Sequence, residues 1–283
     1  DEAGKLGMEA WLYDENGWPS GFGGGLVNAL GIKYQQKYLR CEKKLLKECG
    51  TENTIAYYDE DGKFLSRIMP ENPEATVIRC YYEINPYYVD NLDSEVVAEF
   101  IRVTHKFYYE NIPAHLLKMM KGIFTDEPQI SRNGTPWSFV YEREYKKEYG
   151  IDIINDLPFL FFAEKDYREV RVRFWKLTAK LFNISFMKQI HDWCDAHGWV
   201  LTGHHVIEEN LPYMIPSNGA IMPQYQYYHI PGMDVLSRIN PNPIAMVQLF
   251  SSAMQFGHKQ ILTESFALTG WNFNFHGMGW MYQ

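Results

Sequence analysis

Apolar and polar positions repeat one unit along the chain: a short apolar strand, a polar or acidic end, a loop, then a helix. WLYDE (11–15), YYVDN (87–91), GIFTDE (122–127), VLTGHH (200–205), MDVLS (233–237) and ILTES (261–265) read as the strands. Val170, Phe174, Leu177, Leu181, Ile184 and Met187 recur at helical spacing, predicting a helix over 165–197 that stops at Gly198. Further helices are predicted over 33–48, over 95–120 with a break near Pro113, and over 243–257. Asp1 to Leu6 reads as the tail of a helix closed by Gly7, so the chain is expected to be a piece of something larger. IAYYDEDGKFLSRI alternates around Asp61-Gly62, a hairpin signal, and 51–84 is read as a small antiparallel insertion.

Strand, loop and helix in alternation signal a parallel sheet with crossover helices. The fold class expected is α/β, a (β/α)8 TIM-type barrel that is incomplete at both ends, because the six strands fall short of eight. Residues 1–283 are then one barrel region carrying the 51–84 insertion, with the terminal strands expected outside this chain. The alternative is an open doubly wound sheet, but no GxGxxG or phosphate loop follows any strand.

A net charge of −8 argues against nucleic acid as the main partner, since phosphate binding needs a concentrated basic face. No apolar run reaches the roughly 20 residues of a membrane span. Cys41, Cys49, Cys80 and Cys194 form no CxxC pair and read as free thiols or bystanders, an argument for the cytoplasm. Aromatics make up 16% of the chain and cluster in loop-like runs such as Tyr225 to Tyr228. A tyrosine has an apolar face and a polar tip, matching a sugar, though core filling is the commoner use.

In a barrel of this kind the working residues sit at the C-terminal ends of the strands. Those ends read Asp14-Glu15, Asp90, Asp126-Glu127, His204-His205, Asp234 and Glu264. Hydrolysis of a glycoside needs two carboxyls, one to protonate the leaving oxygen and one to attack or to activate water. Glu127 in FTDE and Glu264 in LTE each end an apolar strand after a threonine and are the candidate pair. The apolar GIF run and Pro128 beside Glu127 suggest desolvation, which raises a carboxyl pKa as a general acid requires. Asp126 is placed to orient Glu127 or to bind a hydroxyl. Strand alternation sends His204 and His205 to opposite faces, so at most one faces the site. Glu208 or Glu209 is a candidate to join it; His204 with Glu208 as a metal site lacks a firm third ligand. Asp14, Glu15 and Trp18, at the head of a loop with glycines at 21 and 23–25, and Trp271 after Glu264 complete the candidate sugar-binding set with Asp90.

WLYDENGWPSGFGGG, GIFTDEP, LTGHHVIEE, IPGMDVLS and LTESFALTGW, in that order, resemble family 106 of the glycoside hydrolases, bacterial α-L-rhamnosidases and their relatives. The resemblance implies that 1–283 is a (β/α)8 catalytic region inside a larger chain with accessory β-domains, a glutamic acid at Glu127, a second glutamate at Glu264, inversion at the anomeric carbon, and calcium near the sugar. No cofactor is required by the motifs themselves. The partner expected is a carbohydrate substrate, with the rest of the same chain or a second copy covering open barrel edges. Two other readings stand beside this one: a non-catalytic carbohydrate-binding barrel, and a metal-dependent hydrolase of another bond using His204 or His205.

Overall fold

The computed structural model describes residues 2–132, 134–164, 166–236 and 243–281. Among the described residues ten strands are formed: β1 (Ala10–Tyr13), β2 (Gln35–Leu45), β3 (Thr54–Tyr58), β4 (Phe64–Ser66), β5 (Thr76–Val89), β6 (Met120–Asp126), β7 (Pro136–Trp137), β8 (Val200–His204), β9 (Ile230–Val235) and β10 (Leu262–Ser265). They divide into two five-stranded sheets, β1-β6-β8-β9-β10 and β4-β3-β5-β2-β7. The first is wholly parallel, curled, and matches a partial barrel. The second is antiparallel.

Five of the six expected strands form the parallel sheet, in chain order from edge to edge. The sixth, YYVDN, does not. Tyr87 to Val89 close the long β5, which pairs antiparallel with β2 from Gln35↔Val89 to Leu45↔Thr76. The helix expected over 33–48 is also wrong, for the same reason. Lys, Gln, Glu and Leu favour a helix, but the ladder with β5 fixes an extended chain, and tertiary pairing outweighs propensity. The antiparallel sheet therefore starts at Gln35, well before the predicted insertion, and recruits Pro136–Trp137 as β7. Within it the Asp61-Gly62 hairpin forms as read, with Gly62 at φ +81°.

The long helix appears as Tyr167–Phe182 and Gln189–His197 joined through a wider π-helical turn at Asn183–Lys188, and Gly198 caps it at φ +69°. Asp93 caps Ser94–Ile101, its side chain accepting from Glu95 N–H at 2.9 Å. Val97, Phe100, Phe186 and Ile190 from these helices share one core with Ile123 of β6 and Leu201 of β8. The opposite face of the sheet is left for polar side chains. Among the described residues, no helix is long and apolar enough to cross a membrane. The last position of MDVLS, Ser237, lies outside the described residues.

Cys41 and Cys80 are not free. They face each other in the β2–β5 register and form a disulfide, while Cys49 and Cys194 remain thiols. The free-thiol argument for the cytoplasm fails with that pair. Protein prepared without reductant and then denatured should titrate two thiols, not four; four reactive thiols would contradict the bond.

Candidate active site

Parallel register places four groups side by side at the strand ends. Asp126 lies opposite His204, and Glu264 lies opposite Asp234. In a strand, alternate residues share a face. Tyr13, Phe124, Asp126, Thr202, His204, Asp234 and Glu264 consequently line one face, while Ile123 and Leu201 point into the core beneath the helices. Gly203 lets β8 lie close to β6 here: it has φ +149°, and a Cβ on it would sit 2.0 Å from the Thr125 carbonyl.

His204 is the hub. Its Nε2 donates to Glu264 Oε2 at 2.8 Å and lies 3.7 Å from Asp126 Oδ1. Burial opposes a charged ring, but the bond to Glu264 and the charges of Glu208, Asp126 and Asp234 outweigh it, raising its pKa to about 9. Its Nδ1 is buried without a partner among the described residues, a feature that works against the charged form. Two carboxylates within 4 Å of Nε2 decide the balance, and the ring is an imidazolium at neutral pH. The same bond holds the Glu264 carboxyl below the usual glutamate range against partial burial.

Glu127 is shifted the other way. Its side chain is 14% exposed, and desolvation, partly offset by His204, raises its pKa to about 7. Its backbone takes φ +47°, uncommon for a side-chain-bearing residue, and its N–H donates to the His204 carbonyl at 3.2 Å. Trp18 Nε1 and Arg132 Nη2 both donate to Glu127 Oε2, at 3.1 and 3.4 Å, and the Arg132 guanidinium lies 4.6 Å above the Trp18 ring. Glu127, His204 and Asp234 have donor atoms within 4.8 Å of one another, as do Asp126, His204 and Glu264. The two candidate glutamates thus reach one imidazole. Asp234, noted in the sequence as a strand end, joins the cluster with its pKa raised to about 6, mainly by burial.

The glycine loop turns out to embrace its own carboxylate. Glu15 accepts from the N–H groups of Gly21, Phe22 and Gly24 at 2.5, 3.1 and 2.9 Å. Gly24 stands at φ +61°, and a Cβ there would meet Asn16 Oδ1 at 2.4 Å. Asp14 is fully buried and accepts from Ser20 Oγ at 2.7 Å; Ser20 Oγ in turn accepts from the Asp126 N–H. Asp14 and Glu15 therefore shape the loop that presents Trp18 and tie it to β6, instead of facing a sugar. Glu208 has a comparable part. It accepts from the His205 and Asp234 N–H groups at 3.0 and 2.9 Å, and burial lifts its pKa to about 8.

Three further candidates fall outside the cluster. Asp90 is buried against Lys37, Nζ to Oδ2 3.4 Å, inside the antiparallel sheet. His205 takes the other face, as alternation requires, and lies fully buried against Tyr225 and Tyr228, where burial lowers its pKa to about 3. Trp271 is fully exposed and does not join the site. Two contributors carried no sequence signal. Tyr13 donates its hydroxyl to Asp126 Oδ2, and Arg132 reaches Glu127 from the loop after β6.

Both site groupings that could hold a metal share His204. Calcium takes six to eight hard oxygen ligands. Each grouping here supplies two carboxylates and one imidazole nitrogen, short of that all-oxygen set. A third grouping, His191, Asp195 and His229, lies away from the strand ends. His229 Nδ1 accepts the Leu201 N–H at 2.9 Å, so Nε2 keeps its proton and donates to Asp195. That nitrogen has no lone pair for a metal.

No family model and no curated protein matches the chain. Among solved structures it is similar to a rhamnosidase from Novosphingobium sp. PP1Y, with a TM-score of 0.53 and 16% identity over 74% of this chain. The match spans 22% of that protein's length. The likeness is one of fold.

Proposed function

We propose that this chain is the catalytic region of a glycoside hydrolase, of the family 106 type its motifs resemble, cleaving α-L-rhamnosides with inversion. Glu127 is the general acid and Glu264 the general base. The observation that carries this reading is the opposite displacement of two carboxyls around one imidazole: Glu127 raised to about 7, Glu264 held below the usual range. Environments that push paired pKa values apart are how acid and base roles are divided at one pH. The fold likeness to a rhamnosidase and the strand-end placement of both residues add support. Strands beyond this chain would complete the barrel.

In this mechanism protonated Glu127 gives its proton to the glycosidic oxygen as the bond to the anomeric carbon breaks. Glu264, ionised against His204, takes a proton from water as that water attacks the opposite face. Each glutamate has a carboxyl oxygen within 4.8 Å of a His204 ring nitrogen, in separate groupings, and inversion is taken from the motif resemblance. Tyr13 and Asp126, already bonded to each other, bind ring hydroxyls in this reading.

The pH profile tests the assignment. On a rhamnoside with an alkyl leaving group, kcat/KM should rise as Glu264 ionises, below the usual glutamate range, and fall as Glu127 loses its proton near pH 7. The two limbs belong to the coupled pair. Activity that climbs to a plateau above pH 8 would reject Glu127 as the acid.

A further inference from the structure

The ladders of the parallel sheet are unequal. The β6–β8 register runs out to Asp126↔His204, and the β9–β10 register runs past Glu264 to Ser265↔Val235. Between β8 and β9 it covers Thr202↔Ile230 and Gly203↔Pro231 and stops there. Pro231 has no N–H to offer. A Cβ on Gly232 would stand 2.6 Å from the Gly203 carbonyl, so the two strands pass closely at this point, and backbone pairing ends. The strand ends that carry the site thus form two halves. Glu127 belongs to the first, tied to β8 by its N–H on the His204 carbonyl at 3.2 Å. Glu264 belongs to the second, opposite Asp234.

Glu208 spans the seam. It is 1% exposed. Its Oε1 accepts the His205 N–H at 3.0 Å, just past β8, and its Oε2 accepts the Asp234 N–H at 2.9 Å on β9. One carboxyl therefore continues the strand pairing where the ladder has ended. Protonated or ionised, it keeps an acceptor for each strand. The turn that delivers it is strained and braced. Ile207 stands at φ +56°, an outlier for a β-branched residue. Asn218, from the helix Leu211–Asn218, donates to the Val206 carbonyl. Gln248, from the helix Pro243–Phe256, donates to the Glu208 carbonyl at 3.1 Å, and the Tyr225 hydroxyl donates to Glu208 Oε1 at 3.4 Å. Such strain persists only where the surroundings over-determine it, and it gathers at functional sites.

Resting on the reading of Glu127 as acid and Glu264 as base, we infer that Glu208 is a positioning residue that sets the distance between them. It acts through the backbone, holding the β8 end at His205 and the β9 end at Asp234. Two-carboxyl hydrolysis depends on that distance, and a displacement of about 1 Å can cost on the order of 100-fold in rate.

The test compares Glu208→Gln with Gln248→Leu. The first keeps one acceptor oxygen and turns an amide N–H toward the other strand. The second loosens the same turn and leaves the bridge in place. Rates are measured on an α-L-rhamnosyl disaccharide, which needs both glutamates, and on α-L-rhamnosyl fluoride, which leaves without a proton and needs Glu264 alone. Glu208→Gln should lower kcat on the disaccharide by roughly tenfold or more, with KM within about twofold, and change the fluoride by less than about threefold. Gln248→Leu should keep the disaccharide-to-fluoride ratio within about twofold of wild type. If circular dichroism shows Glu208→Gln unfolded, Glu208→Asp takes its place: both acceptors are kept one methylene short, and the ratio should fall in the same direction. Equal losses on both substrates, no loss on either, or the same change of ratio in Gln248→Leu overturns the inference alone. A wild-type protein that cleaves neither substrate overturns the reading of the two glutamates and this inference with it.

Discussion

Glu127→Gln should lose catalysis and gain stability at the same time. On substrates with alkyl or sugar leaving groups, loss of the proton donor should lower kcat by about 10³-fold, within the range for general acid catalysis. Rhamnosyl fluoride, which leaves without a proton, should suffer far less. The amide keeps an oxygen for Trp18 and Arg132 and is nearly isosteric. The stability gain follows from linkage. A carboxyl whose folded pKa is raised to about 7 must either stay protonated or ionise in a poorly solvated place, so stability falls as pH rises from the unfolded value through 7. Glutamine has no such penalty. Chemical denaturation should show little difference from wild type at pH 4 and a variant more stable by on the order of 2 kcal/mol at pH 8. A variant equally active on the disaccharide, or less stable at pH 8, removes the assignment.

His204→Asn should be damaging in both respects. It leaves Asp126, Glu264, Asp234 and Glu127 clustered without their cation. Removing one partner of a buried pair costs roughly 3–5 kcal/mol, and about 2–3 here because the Glu264 side chain is 41% exposed and partly screened by water. The sign with pH is set by the histidine. Its folded pKa is raised, so its contribution is full below about 6.5 and fades as pH passes 9. The stability gap between wild type and variant should therefore narrow above pH 9. Without the imidazolium the Glu264 carboxyl moves up, so the acid limb of kcat/KM should shift to higher pH, an effect a merely structural defect would not produce. An unmoved acid limb would contradict the role given to His204.

The parallel sheet was readable in the sequence because five strands repeat one pattern, apolar and then polar, and end in groups that their register gathers. Glu127 and Glu264 stand out for the same reason, and strand alternation limits the site to one of His204 and His205 without saying which. Other features needed partners that lie far along the chain. β2 reads as a helix because Lys, Gln and Glu are helix formers, and only its ladder with β5 makes it a strand. Asp90 has the strand-end signature, yet its neighbour is Lys37 from the other sheet. Glu15 looked like a ligand-binding acid until the glycine loop closed on it. Arg132 reaches Glu127 from a loop outside the quoted motifs, and Tyr13, though inside the first of them, shows its role only once β1 lies beside β6. The Cys41–Cys80 bond depends on the same β2–β5 register, so missing the strand meant missing the disulfide.

The most direct test of the central claim is the first-formed product, followed by proton NMR while the protein acts on an α-L-rhamnosyl disaccharide. Paired action of Glu127 and Glu264 on opposite faces predicts that β-L-rhamnose appears first and only later equilibrates. First release of the α-anomer, or no release of sugar at all, would contradict it.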